Sequence, residues 1–164
     1  MKLSEYKKIV PIVQDGDLSS TVTCDSINMR DYLRATFVFT FGTLGTASSV
    51  MTVVSGASDA ASSSTLYFDY AFGGAAIGTA TSGSTTSCDV LGAWTSANTL
   101  TITYSTYSNY MLVVEVEGDK MDRENDEEWL TVIFTDPGTA TGTVDGFAIL
   151  EPRYTGNRSA TALA

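Results

Sequence analysis

Between Tyr110 and Asp136 two alternating apolar runs flank a dense acidic segment, YMLVVEVEGDKMDRENDEEWLTVIFTD. Tyr110, Leu112, Val114 and Val116 point one way, and Met111, Val113, Glu115 and Glu117 the other. Leu130, Val132 and Phe134 then alternate with Thr131, Ile133 and Thr135. A period of two is the mark of a strand with one dry face and one wetter face. The two runs are expected to be the central antiparallel strands of an all-β domain.

The rest of the chain repeats the pattern. Ala35, Phe37, Phe39 and Phe41 alternate with Thr36, Val38 and Thr40, and three phenyl rings on one face require a deep core. Residues 48–55 return after a glycine-bearing turn and are expected to pair with that run. Further strands are expected at 20–27, 65–72, 88–93, 98–104 and 144–150, and a single helical turn at 28–33. This reading gives about nine or ten strands with almost no helix, an all-β, jelly-roll-like β-sandwich. Residues 1–18, interrupted by Pro11, are expected to form an arm lying on a neighbour or a first edge strand. Residues 19–152 form the single sandwich domain and 153–164 a C-terminal tail.

Charge bears on function more than on fold. The net charge of −10 disfavours contact with nucleic-acid phosphates, which needs clustered Lys and Arg. Between Arg34 and Lys120 there is no Lys or Arg, and Ser and Thr make up about a quarter of the chain. That uncharged middle is either a hydroxyl-coated surface or a surface covered by other subunits, since interface cores are depleted in charge. No apolar run is long enough to span a membrane, and the N-terminus, MKLSEYKKIVPIV, does not read as a signal peptide.

Chemistry leaves few traces. The chain has no histidine, no GxSxG elbow and no nucleophile–base pairing, so no catalytic residue, cofactor or metal site is assigned. The acidic stretch 118–128 has oxygens enough for calcium but not the spacing of a calcium loop, and reads as a solvated, partly helical connection. Cys24 and Cys88 read as free thiols, with a disulfide between them as the alternative. Trp94, Tyr107 and Tyr110 are the candidate platform for a glycan, against the plainer reading of strand-face packing.

From Tyr110 onward the chain resembles small virion proteins of tailed bacteriophages. The likeness lies in VVEVEGDKMDRENDEEWLTVIF and in GFAILEPRYTGNRSATALA, a last strand running into a Pro-Arg-Tyr segment. The resemblance implies a non-enzymatic capsid decoration (cement) protein on the exterior of a phage head, or else a neck or tail component. Its partners would be the major capsid protein and further copies of itself, in a homotrimer. Ile9, Val10 and Ile12 of the arm, with Arg153 and Tyr154 near the end, are the expected contact residues.

Overall fold

Alternation of bulky apolar and small hydroxylated side chains favours extended backbone. A computed structural model, which describes residues 2–78, 87–136, 138–154 and 161–163, contains twelve strands. In chain order they are β1 (Lys8–Asp17), β2 (Val22–Thr23), β3 (Ile27–Asn28), β4 (Tyr32–Phe41), β5 (Ser49–Gly56) and β6 (Ser64–Thr65). The series continues with β7 (Phe68–Phe72), β8 (Thr95–Ala97), β9 (Thr99–Ile102), β10 (Met111–Glu117), β11 (Trp129–Thr135) and β12 (Thr143–Pro152). One helical turn, Tyr104–Tyr107, and short 3-10 turns complete the described residues.

The strands form two antiparallel sheets. Sheet A has the order β1-β12-β4-β10-β7-β8, and sheet B the order β2-β11-β5-β6, with β3 also beside β11 and β9 beside β5. Their inner faces make one core. Phe37, Phe39, Leu112 and Val114 of sheet A are buried with Met51, Val53, Leu130, Val132 and Phe134 of sheet B. The Phe134 ring bridges the layers, edge-on to Phe39 at 5.1 Å and to Phe41 at 6.1 Å. Each such phenyl contributes roughly 1.5–3 kcal/mol through burial. Gly146 faces Phe39 across the β12–β4 pairing, and a Cβ there would meet the ring at 2.4 Å, so the close approach requires glycine.

Two expected pairings are corrected. β10 and β11 are each central, but in opposite sheets: β10 lies between β4 and β7, and β11 pairs with β5, β2 and β3. β5 likewise pairs with β11, not with β4. The chain changes sheet after nearly every long strand, so the acidic segment is a bridge across the end of the sandwich. Its anchors are Met121 and Glu127, both buried.

Local expectations change as well. Residues 28–33 close a non-helical turn, with the Tyr32 N–H donating to the Met29 carbonyl at 3.1 Å. Residues 88–93 are turn and bridge, not strand, whereas 95–97, expected to be a break, is the edge strand β8. Of the N-terminal 18 residues, 8–17 are an edge strand in the chain's own sheet A, paired with β12. The C-terminal stretch is not wholly a free tail: Ala162 is buried in the core and its carbonyl accepts from Asn28 N–H at 2.8 Å. Residues 155–160 of that stretch lie outside the described residues.

Candidate functional site

Strand register dictates which side chains share the solvent face of sheet A. Pro11, Phe147, Val38, Val113 and Ala71 are direct cross-strand neighbours on β1, β12, β4, β10 and β7. All five belong to the parity that points away from the core, so they form an unbroken apolar row across the sheet. Phe147 is 39% exposed, Pro11 is exposed and Val38 half-buried, whereas Val113 and Ala71 are already buried within the chain, so the solvent-open part of the row is its Pro11–Phe147–Val38 end. Continuing the β7–β8 register by one residue brings the exposed Trp94 level with Ala71, at the far end of the row. On one side of the row stand Asp145, Thr40 and Met111, and on the other Ile9, Ile149, Thr36, Glu115 and Asp69.

Two hollows open on this face. An apolar groove of about 320 Å³ is lined by Pro11, Val13, Val38 and Phe147, with Gln14, Thr40, Gly146 and Asp145 around it. Its origin is local. The Ile12 carbonyl accepts from Asp25 N–H at 2.9 Å and so faces away from β12, which turns Pro11 toward β12 with no N–H to donate. The register slips between Pro11 and Val13, and the bulged strand bends. A second, charged hollow of about 380 Å³ lies at the other end, lined by Leu33, Arg34, Glu117, Asp119, Glu151 and Arg153. Arg34 reaches Glu117 at 2.6 Å and Glu115 at 3.8 Å, while Lys7 reaches Glu151 at 3.0 Å. The Glu117 hydrogen bond and charge hold the guanidinium pKa above its ordinary value.

Sheet B presents a different surface. Its strands contain no charged residue, and every outward aliphatic is flanked across the strands by threonines. Ile133 lies between Thr23 and Thr52, Val50 between Thr135 and Thr101, and Val54 between Thr131 and Thr65. Thr131 is itself buried and shares a 2.7 Å hydrogen bond with Ser26.

The acidic segment is less solvated than its composition implies. Asp122 caps a 3-10 turn at Arg123–Asn125 through Asn125 N–H. The Arg123 guanidinium donates to the Gly118 carbonyl at 3.2 Å and the Met29 carbonyl at 3.3 Å, tying the segment to the β3–β4 turn. Glu127 is the residue sequence reasoning missed. It is buried, and its carboxylate accepts from Ser55 Oγ at 2.5 Å and Ser64 Oγ at 3.0 Å. Nothing in an acidic run marks one member as buried, because the partners come from β5 and β6. Among the described residues no three His, Cys, Asp or Glu side chains are grouped to hold a metal ion.

The expected contact and platform residues separate. Val10 and Ile12 are buried in the core of their own chain, whereas Ile9 is exposed. Arg153 lines the charged hollow, its N–H donating to the Asp31 carbonyl at 2.8 Å, and the adjacent Tyr154 is exposed. Tyr107 stacks on Phe72 at 3.6 Å and meets Tyr110 edge-on at 5.8 Å. Those two rings serve packing, and Trp94, just before β8, has no ring contact with either among the described residues, so the three do not form one platform. Both cysteines are free thiols; Cys24 is buried, and desolvation, helped by Asp25, pushes its pKa up to about 12. Comparison with family models, curated proteins and solved structures found no match to this chain.

Proposed function

We propose that this chain is a non-enzymatic structural component of a tailed-phage particle, a decoration (cement) protein that stabilises the head from outside. It acts as a self-associating cap, a homotrimer, against the major capsid protein. The observation that carries this reading is the apolar row on the outward side of sheet A, open to solvent at Pro11, Phe147 and Val38 and continuous with the buried Val113 and Ala71. Single exposed apolar residues are ordinary, but a contiguous row with a polar rim is how protein-binding surfaces are built. The net charge of −10 suits the outside of a shell better than its DNA-filled interior. The likeness of residues 110–164 to small virion proteins supports the same reading.

An antibody to the full chain, with gold labelling of purified phage particles from the source culture, tests it. Label distributed over heads is the expected result. Label confined to the neck or tail moves the chain to another position on the particle, and absence of label from all particles overturns the reading.

A further inference from the structure

We infer that the N-terminal turn of one copy seats in the sheet-A groove of a second copy, so that the chain self-associates knob into groove. The knob is the 3-10 turn Leu3–Glu5 with the residue after it. The turn buries none of its own residues, and Leu3 and Tyr6 are 54% and 52% exposed. Two apolar side chains so close in sequence on a turn of this kind have little to do in an isolated chain. The groove offers Pro11, Val13, Val38 and Phe147 as an apolar floor.

The charges match the apolar surfaces. Lys2 beside Leu3 is the cation directed to the groove, since Lys7 pairs with Glu151 of its own chain and Glu5 accepts from the Lys2 backbone N–H; the groove carries Asp145, whose carboxylate accepts from Asp15 N–H at 2.8 Å. Attraction across such a contact fixes register and speeds encounter. A second copy is required because a chain cannot fill its own groove. Its turn leaves β1 at the Lys8 end, where Lys7 is held by Glu151 at 3.0 Å. The groove begins at Pro11, about 10 Å further along the strand at some 3.3 Å per residue. Knob and groove are different patches, so the contact is heterologous and closes into a ring when its rotation allows. This inference rests on the proposed self-association and names the surfaces that produce it.

The test uses light scattering of the full chain at micromolar concentration, with circular dichroism as a check on folding. Wild type is expected to be oligomeric. Tyr6→Glu removes the knob and Phe147→Glu the groove, both at exposed positions, and each alone is expected to run as a single chain. Mixing the two variants restores one intact knob facing one intact groove, so a 1:1 complex is expected. Lys2→Glu should raise the dissociation constant at least about tenfold, equivalent to ~1.4 kcal/mol, and adding Asp145→Lys should recover most of it. The inference is overturned by a wild type that is a single chain, by variants that keep the wild-type mass, or by a mixture that forms no complex. If the variants keep the wild-type mass and the antibody still labels phage heads, this contact falls and the proposed function stands. If the contact holds and no particle is labelled, the reverse is true.

Discussion

The two outer faces of the sandwich divide the chain's charge and its exposed apolar residues in a way composition conceals. The strands of sheet A carry Lys8, Asp15, Asp17, Arg34, Asp69, Glu115, Glu117, Asp145 and Glu151, and those of sheet B carry none. Depletion of charge would mark sheet B as the sticky face. Its outward aliphatics are separated by threonines, however, and hydroxyls between methyl groups keep a surface hydrated. On sheet A the apolar side chains adjoin one another across five strands, and the charges Asp145, Glu115 and Asp69 flank the row on its two sides. The comparison teaches that contiguity of apolar side chains, not absence of charge, distinguishes a surface that sheds water readily.

Four outcomes would sharpen or break that contrast, starting with the core both faces share. Phe39→Ala should cost about 3–5 kcal/mol in urea unfolding, because the ring packs on Phe134 and fills the space over Gly146. A loss under ~1 kcal/mol would mean that the layers are not joined there. Cys24 gives a pH dependence on the sheet-B side. Its thiol is neutral in the folded chain up to about pH 12 but ionises near 9.0 when unfolded. The unfolded state therefore binds fewer protons between those values, and stability falls as pH rises through them. Three units at ~1.36 kcal/mol each set an upper limit of about 4 kcal/mol. Thermal unfolding of Cys24→Ala should show a flatter alkaline limb than wild type, and an equal slope would refute the assignment.

Smaller effects follow at the polar sites. Ser55→Ala removes the shorter of two hydrogen bonds to the buried Glu127 and should cost roughly 1–3 kcal/mol, again by urea unfolding. No measurable cost would show that water substitutes for the hydroxyl. The faces themselves are compared by Val38→Lys on sheet A and Thr52→Lys on sheet B. Each should change stability by no more than about 1 kcal/mol, while light scattering should show association lost only in Val38→Lys. Equal loss in both variants would erase the distinction between the faces.

How much of this was legible follows from what a period of two encodes. Alternation at Ala35–Phe41, 110–116 and 130–134 identified the buried side of β4, β10 and β11, with Phe37, Phe39, Leu112, Val114, Leu130 and Phe134 all in the core. Alternation reports which side a residue faces and not which strand lies beside it, so it does not reveal that β10 and β11, like β4 and β5, lie across the gap between sheets. Edge strand β8 is Thr-Ser-Ala, with Ala97 its one apolar residue packed on the core, too little to show a period of two, whereas residues 88–93 hold more apolar side chains and read as the strand. The apolar row was unreadable for the same reason: Pro11, Val38, Ala71, Val113 and Phe147 are far apart in sequence and meet only through register. Glu127 is set apart from its acidic neighbours by its burial against Ser55 of β5 and Ser64 of β6, residues more than sixty positions away in sequence.

Phe147 and Tyr104 supply the most direct test of the central claim, that sheet A is the contact face. Each is 39% exposed in the single chain, Phe147 on the sheet-A row and Tyr104 just after β9 of sheet B. Hydroxyl-radical footprinting of the associated chain against the diluted one should show Phe147 protected severalfold and Tyr104 unchanged. Protection of Tyr104 with Phe147 still freely labelled would contradict the account.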